Sequence, residues 1–171
     1  GGTNNLELSV NTTVDVDLVV SAGTLDLQGL DLTVTGTLTV SGTGYVDAVT
    51  TANSDIISND IDIQAGDFDA PDGTGSFEVR GSWDQSGGTF TAGAGTVDYT
   101  ATAGDETIDT TGGSAFNNVT FDDSSVGRTW SLDTNVAVGG TLLLTDGSID
   151  CVTFDLAVTG TTTLAAGADL F

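Results

Sequence analysis

Gly23-Thr24-Leu25-Asp26 returns as Gly44-Tyr45-Val46-Asp47, as Gly66-Asp67-Phe68-Asp69 and as Gly88-Thr89-Phe90-Thr91, at intervals of 21, 22 and 22 residues. Each copy reads glycine, a small or polar residue, an apolar residue, then Asp or Thr. The pattern appears once more as Gly147-Ser148-Ile149-Asp150. A fixed period of this length marks a stacked repeat, in which each unit covers the apolar face of its neighbour. A longer match joins the two ends of the chain. The ten residues from Asp31 to Val40 align with those from Asp155 to Leu164 and are identical at seven positions. Asn4-Asn5-Leu6 is echoed by Asn117-Asn118-Val119. The last third of the chain reads as a re-creation of its beginning.

Between the glycines the side chains alternate with period two. Val14, Val16 and Leu18, then Leu25 and Leu27, then Leu30, Leu32 and Val34, then Leu38 and Val40 are apolar with polar neighbours between. Alternation of this kind is a strand with one buried face. No stretch carries a 3.6-residue period, so essentially no helix is expected. A β-sandwich would need tight hairpins, and Asp-Gly occurs only at Asp72-Gly73 and Asp146-Gly147. The period instead predicts an all-β, right-handed parallel β-helix (a β-solenoid) of about seven coils, with glycines at corners that need positive φ or close backbone approach. The whole of 1–171 forms one module, with regular coils of about 22 residues over 1–87 and longer, less regular coils over 88–171. At roughly 4.8 Å per coil the rod is on the order of 35 Å long.

Composition agrees. Thr (30) and Gly (24) make nearly a third of the 171 residues, and Leu, Ile, Val and Phe supply 45, enough for a core despite the charge. Asp and Glu total 25 against two cations, Arg80 and Arg128, giving a net charge of −23. Such a surface repels DNA, RNA and anionic membranes. No apolar run approaches the length of a membrane span. With no His and no Lys there is no serine triad, Cys-His pair, Schiff-base lysine or histidine metal site. Polysaccharide lyase chemistry would need more than two cations, so the expectation is that the chain is not an enzyme. Cys151 aligns with Leu27 and reads as a small core residue.

The segment from Gly81 to Val97, followed by Phe116-Asn117-Asn118-Val119-Thr120 and Val138-Gly139-Gly140-Thr141-Leu142, resembles a unit that recurs in large secreted and cell-surface repeat proteins of bacteria and archaea. That group is similar to the parallel β-solenoid shafts of adhesins and autotransporter-type passenger domains. The resemblance covers most of 75–165 and, less cleanly, 4–47. It implies an extracellular or cell-surface location and a structural or adhesive task, and supplies no catalytic residues.

Three sets of candidate site residues follow. Asp60, Asp62, Asp67, Asp69, Asp72 and Glu78 form the densest acidic stretch and are the candidate Ca²⁺ ligands. Counting Asp67 as position 1 puts Asp69 at 3 and Glu78 at 12, as in an EF-hand loop, but Pro71 and Asp72 stand where that loop needs a ligand and a glycine. In a stacked solenoid acids also align into mutually repelling rows, which predicts a diffuse dependence on cations and salt. Trp83, Trp130, Tyr45 and Tyr99 are the candidates for stacking on glycans, with the core as the competing place for Trp83. Leu6, Leu8, Leu170 and Phe171 are the candidates for an assembly interface. The chain opens and stops inside a repeat without an evident cap, so it reads as a segment of a longer shaft or as a unit whose ends stack head to tail. The expected function is therefore a structural subunit of a cell-surface fibre, a homopolymer grown by end-to-end stacking. The alternative is an adhesin shaft segment that binds glycans or a partner cell.

Overall fold

The computed structural model describes residues 4–49, 54–102, 104–123 and 127–171. Among them there is no helix, and the strands coil into a parallel β-solenoid of about eight turns. Each turn offers short strands to three faces. The first face stacks Thr12–Val14, residues 32–34, residues 56–58, Phe77–Val79, residues 97–99, residues 119–121, Leu142–Leu144 and Thr162–Leu164, all parallel and in register. The second face stacks residues 18–20, 38–40 and 61–63, then Trp83–Asp84, Glu106–Asp109, Thr129–Leu132, Ser148–Asp150 and Asp169–Leu170. The third face stacks Asn5–Glu7, residues 24–26, residues 45–47, Asp67–Asp69 and Thr89–Thr91. It resumes as a bridge from Phe116 to Val138 and as Val136–Val138 beside Leu156–Val158. Between Thr91 and Phe116 the backbone ladder gives way, and the Phe90 N–H donates to the Ser114 hydroxyl at 3.0 Å instead.

The expected seven coils are close to the eight found. The glycine motif undercounts because its copies at Gly23, Gly44, Gly66 and Gly88 mark only the third face, where their strands lie side by side. Along the first face, rungs recur every 20 to 24 residues from Thr12 to Thr162. Gly66 shows why the motif needs glycine. Its φ is +78°, and a Cβ there would collide with the carbonyl oxygen of Gly44 one coil below.

The long internal match does not place like on like. Leu32 lies on the first face, whereas its counterpart Leu156 lies on the third. Residues 38–40 lie on the second face and their counterparts 162–164 on the first. Gly147-Ser148-Ile149-Asp150 likewise sits on the second face. Each coil contains three units of strand and corner with the same alternation. Similarity between two units therefore fixes the unit, not the face it occupies.

The alternating side chains point into one continuous core. In the first coils it is aliphatic, with Leu27, Leu32, Leu38, Val40 and Val46 fully or almost fully enclosed. From the third coil onward aromatic rings fill it. Phe68 stacks on Phe77 at 5.3 Å, Trp83 meets Phe90 edge-on at 4.7 Å and Phe116 at 5.0 Å, and Tyr99 stacks on Phe121 at 4.9 Å, which in turn touches Trp130. Such pairs add about 0.5–1.5 kcal/mol each beyond the area they bury. Cys151, expected in the core, is only half-buried, since the last coil leaves that end of the tube open.

Candidate functional site

The acidic residues do two kinds of work. One set caps corners. The Asp31 N–H donates to Asn11 Oδ1 at 3.1 Å, the Asp55 N–H to Asp31 Oδ1 at 3.2 Å and the Ser76 N–H to Asp55 Oδ1 at 2.8 Å, so an Asx column climbs one edge of the rod. At another corner the Thr37 N–H donates to Asp17 Oδ1 and the Ser82 N–H to Asp60 Oδ1, both at 2.9 Å. Asp26, Asp109 and Asp150 each accept the N–H two residues on, at 3.0, 2.7 and 2.8 Å. Corner amides lack a strand partner, and these side chains supply it. The sequence carried a signal for the first column: Asn11, Asp31 and Asp55 each directly precede a first-face strand.

The acids also line up in rows along the faces, Asp26 and Asp109 among them although they accept corner amides too, and Asp26 is itself buried. Glu7, Asp26, Asp47 and Asp69 occupy one register position on four consecutive coils of the third face. Asp62, Asp84 and Asp109 do the same on the second face. Glu78 and Asp98 adjoin on the first. Neighbouring strands are about 4.8 Å apart, and like charges directly opposed at that spacing repel. Burial, then Asp62 and Asp109, raise the carboxyl of Asp84 above its ordinary range. Burial, then Glu78 and Asp122 against a hydrogen bond from Thr120, raise Asp98. Glu78 goes the other way. Burial alone would raise it, but hydrogen bonds from Arg80 at 2.8 Å and Thr100 at 2.7 Å outweigh that and hold it low.

The coil separates the six candidate Ca²⁺ ligands. Asp60 and Asp62 belong to the second face, Asp67 and Asp69 to the third, Asp72 to a corner where it accepts the Ala94 N–H at 2.6 Å, and Glu78 to the first. Among the described residues no three acids come together to hold a metal ion. The linear spacing of an EF-hand loop fails because residues two apart share a face while residues eleven apart do not.

The aromatic candidates are corrected in the same way. Trp83, Trp130 and Tyr99 are wholly enclosed in the core and offer no face to a sugar. Among the described residues their indole N–H and phenol groups have no hydrogen-bond partner. Tyr45 is half-buried, and its hydroxyl donates to Asp69 Oδ2 at 2.6 Å. Burial and that carboxylate push its pKa far above the usual tyrosine range.

The two ends present what the sides hide. At the N-terminal coil Leu6 is 64% exposed, and Leu6, Leu8, Val14, Leu18 and Val20 line a largely apolar cavity of about 360 Å³. At the C-terminal coil Leu164, Leu170 and Phe171 are 45%, 41% and 64% exposed. Leu6, Leu164 and Leu170 are core-type positions, whereas Phe171 lies at the level of outward Asp150. One side feature also stands out: an open groove of about 340 Å³ on the first face, lined by Ser76, Glu78, Asp98, Thr100, Thr120 and Asp122. No protein-family model, curated protein or solved structure matches the chain.

Proposed function

We propose that this protein is a non-enzymatic structural subunit of an extracellular, cell-surface fibre, which grows by end-to-end stacking of solenoid coils. The observation that carries the reading is the pair of apolar end coils. Leu6 and Leu8 at one end and Leu164 and Leu170 at the other continue rows of inward, core-lining side chains, while Phe171 stands beside them at the level of outward Asp150. A contact between two different ends does not close on itself, so repetition gives a filament. The resemblance of 81–97 to surface-protein shafts supports the location. The commitment of carboxylates to corners and rows, and the absence of His and Lys, support a structural role over a catalytic one. Electron microscopy of the purified chain tests it, with calcium or chelator and in low or high salt. Regular fibres, favoured by salt or calcium that screens the charge, are expected. A monomeric rod in every condition would refute the stacking.

The first-face groove favours a second reading, a shaft segment that binds glycans through its carboxylates and hydroxyls. A chain acting this way stays monomeric and is retained on immobilised glycans.

A further inference from the structure

We propose that Asp72-Gly73 is a site of spontaneous covalent modification, at which aspartate isomerises to isoaspartate and thereby releases the corner of the next coil. The chemistry belongs to Asp followed by Gly, because glycine offers an unhindered amide nitrogen to the aspartate side chain. The chain holds this pair twice, at Asp72-Gly73 and Asp146-Gly147, and holds no Asn-Gly. The two pairs are the same in type, so their surroundings separate them. Asp72 lies on the turn that joins Asp67–Asp69 of the third face to Phe77–Val79 of the first. The flanks of that turn are fixed: Ala70 and Pro71 are buried, and a Cβ on Gly75 would collide with the Ser54 carbonyl oxygen. The tip is open to solvent. Asp72, Gly73 and Thr74 are exposed, and Gly73 holds φ at +75° with open space where a Cβ would stand. Among the described residues the Gly73 N–H has no hydrogen-bond partner.

Gly147 is held on both sides of its peptide. It is buried, a Cβ there would strike the Trp130 ring, its N–H donates to Asp146 Oδ1 at 2.8 Å and its carbonyl accepts the Asp169 N–H at 3.1 Å. The reaction needs the peptide plane to swing until the glycine nitrogen faces the aspartate Cγ. Gly73 makes that swing within its turn, whereas Gly147 must first leave the stack of coils. In the reaction the Gly73 nitrogen bonds to Cγ of the protonated Asp72 carboxyl and gives up its proton. One carboxyl oxygen departs as water, closing a five-membered imide. Water then adds to either imide carbonyl. Addition at Cγ restores aspartate. Addition at the main-chain carbonyl breaks its bond to the Gly73 nitrogen and leaves the chain running through Cγ, with the carboxylate on Cα. No atom is gained or lost overall, and water is the sole co-reactant. The conversion has a structural consequence, because Asp72 Oδ1 accepts the Ala94 N–H at 2.6 Å and so caps the corner Gly93-Ala94-Gly95 of the next coil. Isoaspartate lengthens the main chain by one atom and shortens the carboxylate's reach, and the cap is lost.

Ageing of the intact chain at neutral pH tests this, whether or not the rods stack. One sample is kept folded and one in concentrated urea. Isoaspartate is measured by methyl transfer from S-adenosylmethionine with a purified isoaspartyl methyltransferase. It is located by a protease that cuts before Asp but not before isoaspartate, followed by mass spectrometry. In the folded chain position 72 is expected to convert about tenfold or more faster than position 146, and in urea the two should convert at similar rates. Asp72→Glu, whose longer side chain does not close the five-membered ring, should remove the signal at 72. As position 72 converts, the Tm of the wild type should fall by about 3–6 °C, while aged Asp72→Glu keeps its starting Tm. Equal rates in the folded chain, or no isoaspartate at 72 while the urea sample converts, would overturn the site. A preference for 72 that persisted in urea would assign it to neighbouring sequence and overturn the role of the fold. Conversion without a fall in Tm would overturn the release of the corner. Should Asp72→Glu fail to fold, the wild-type ratio of 72 to 146 decides.

Discussion

Replacing Asp84 by Asn should stabilise the rod, and the part of the gain that comes from its charged neighbours should vanish in high salt. Asp84 stands on the second face between Asp62 one coil before and Asp109 one coil after. Carboxylates about 5 Å apart repel by roughly 0.8 kcal/mol at the dielectric of water, and a Debye length of about 8 Å at physiological salt cuts that to about 0.5. Asp84 is only partly shielded and most of its side chain meets water, so the water-like value applies to its charged neighbours rather than an interior one. Two neighbours give about 1 kcal/mol. With about 2.1 cal/mol/K of unfolding entropy per residue, a chain of this length converts that to a rise in Tm of about 3 °C. Asn keeps an oxygen for the backbone bond from Ser86 that the carboxylate accepts. The adjacent Trp83 is enclosed in the core of the same coil, so its fluorescence reports unfolding of that region.

The pH dependence has a definite sign. The folded-state pKa of Asp84 is raised, first by burial and then by Asp62 and Asp109. Its ionised form therefore disfavours folding, and stability rises as pH falls through that raised value. The gain levels off near the ordinary Asp value of about 3.9, where the unfolded chain protonates too. Asp98 and Glu106 shift the same way, both chiefly through burial. Glu78 is lowered, so its contribution is present above its ordinary value and is lost on acidification. Among the described residues Asp84, Asp98 and Glu106 therefore favour folding more, and Glu78 less, as pH falls from 7 to about 4.5. The advantage of Asp84→Asn should shrink over the same interval, and the part due to charged neighbours should disappear in 1 M NaCl. A variant no more stable than wild type in 20 mM salt at pH 7.5, or one whose gain ignored salt and pH, would refute the repelling rows.

Two further substitutions probe the corners. Val152 holds φ at +54° with its side chain 60% exposed, a costly conformation for a β-branched residue; Val152→Asn should raise thermal stability by about 1 kcal/mol, and a loss in a melting curve would contradict the strain. Asp123 is fully enclosed, accepts the Arg128 N–H at 2.7 Å and lies 3.9 Å from its guanidinium. Asp123→Ala removes the enclosed acceptor of the Arg128 N–H and should cost about 1–3 kcal/mol in chemical denaturation, whereas a loss below about 0.5 kcal/mol would show that this bond does not hold the coil.

The fold was legible because its two signals are local. Alternation over residues such as Leu25 and Leu27 gives a strand, and the spacing of Gly23, Gly44, Gly66 and Gly88 gives the coil, since a Cβ at each would collide with a carbonyl of the preceding coil. What was not legible depends on which face a residue joins. The echo of 31–40 in 155–164 looked like equivalence and proved to be a shift by one face. The acids from Asp60 to Glu78 looked like a cluster and are spread around the tube. Trp83, Trp130 and Tyr99 looked available as binding rings, yet a narrow three-sided tube needs bulky fillers, and the alternation that made Trp83 a strand residue also turned it inward. The corner-capping acids were hidden by chemistry: composition counts an Asp that accepts an amide and an Asp that repels its neighbour as the same charge.

That distinction bears on how such a rod associates. Rows of carboxylates along all three faces cost stability in the isolated chain, by the same repulsion that Asp84→Asn is expected to relieve. They also oppose side-by-side contact between rods, because faces carrying like charge at matched spacing cannot approach without desolvating or neutralising it. The first and last described coils expose leucine and phenylalanine instead. On the stacking proposed above, lateral clumping and axial growth are therefore under opposite control. Substituting acids along a face should speed lateral aggregation without altering end-to-end contact, whereas Leu6→Asp should abolish axial growth and leave the rods dispersed. A Leu6→Asp chain that still formed single-file fibres would show that backbone pairing at the end coils suffices without the apolar contact, and the role assigned to those side chains would have to be withdrawn.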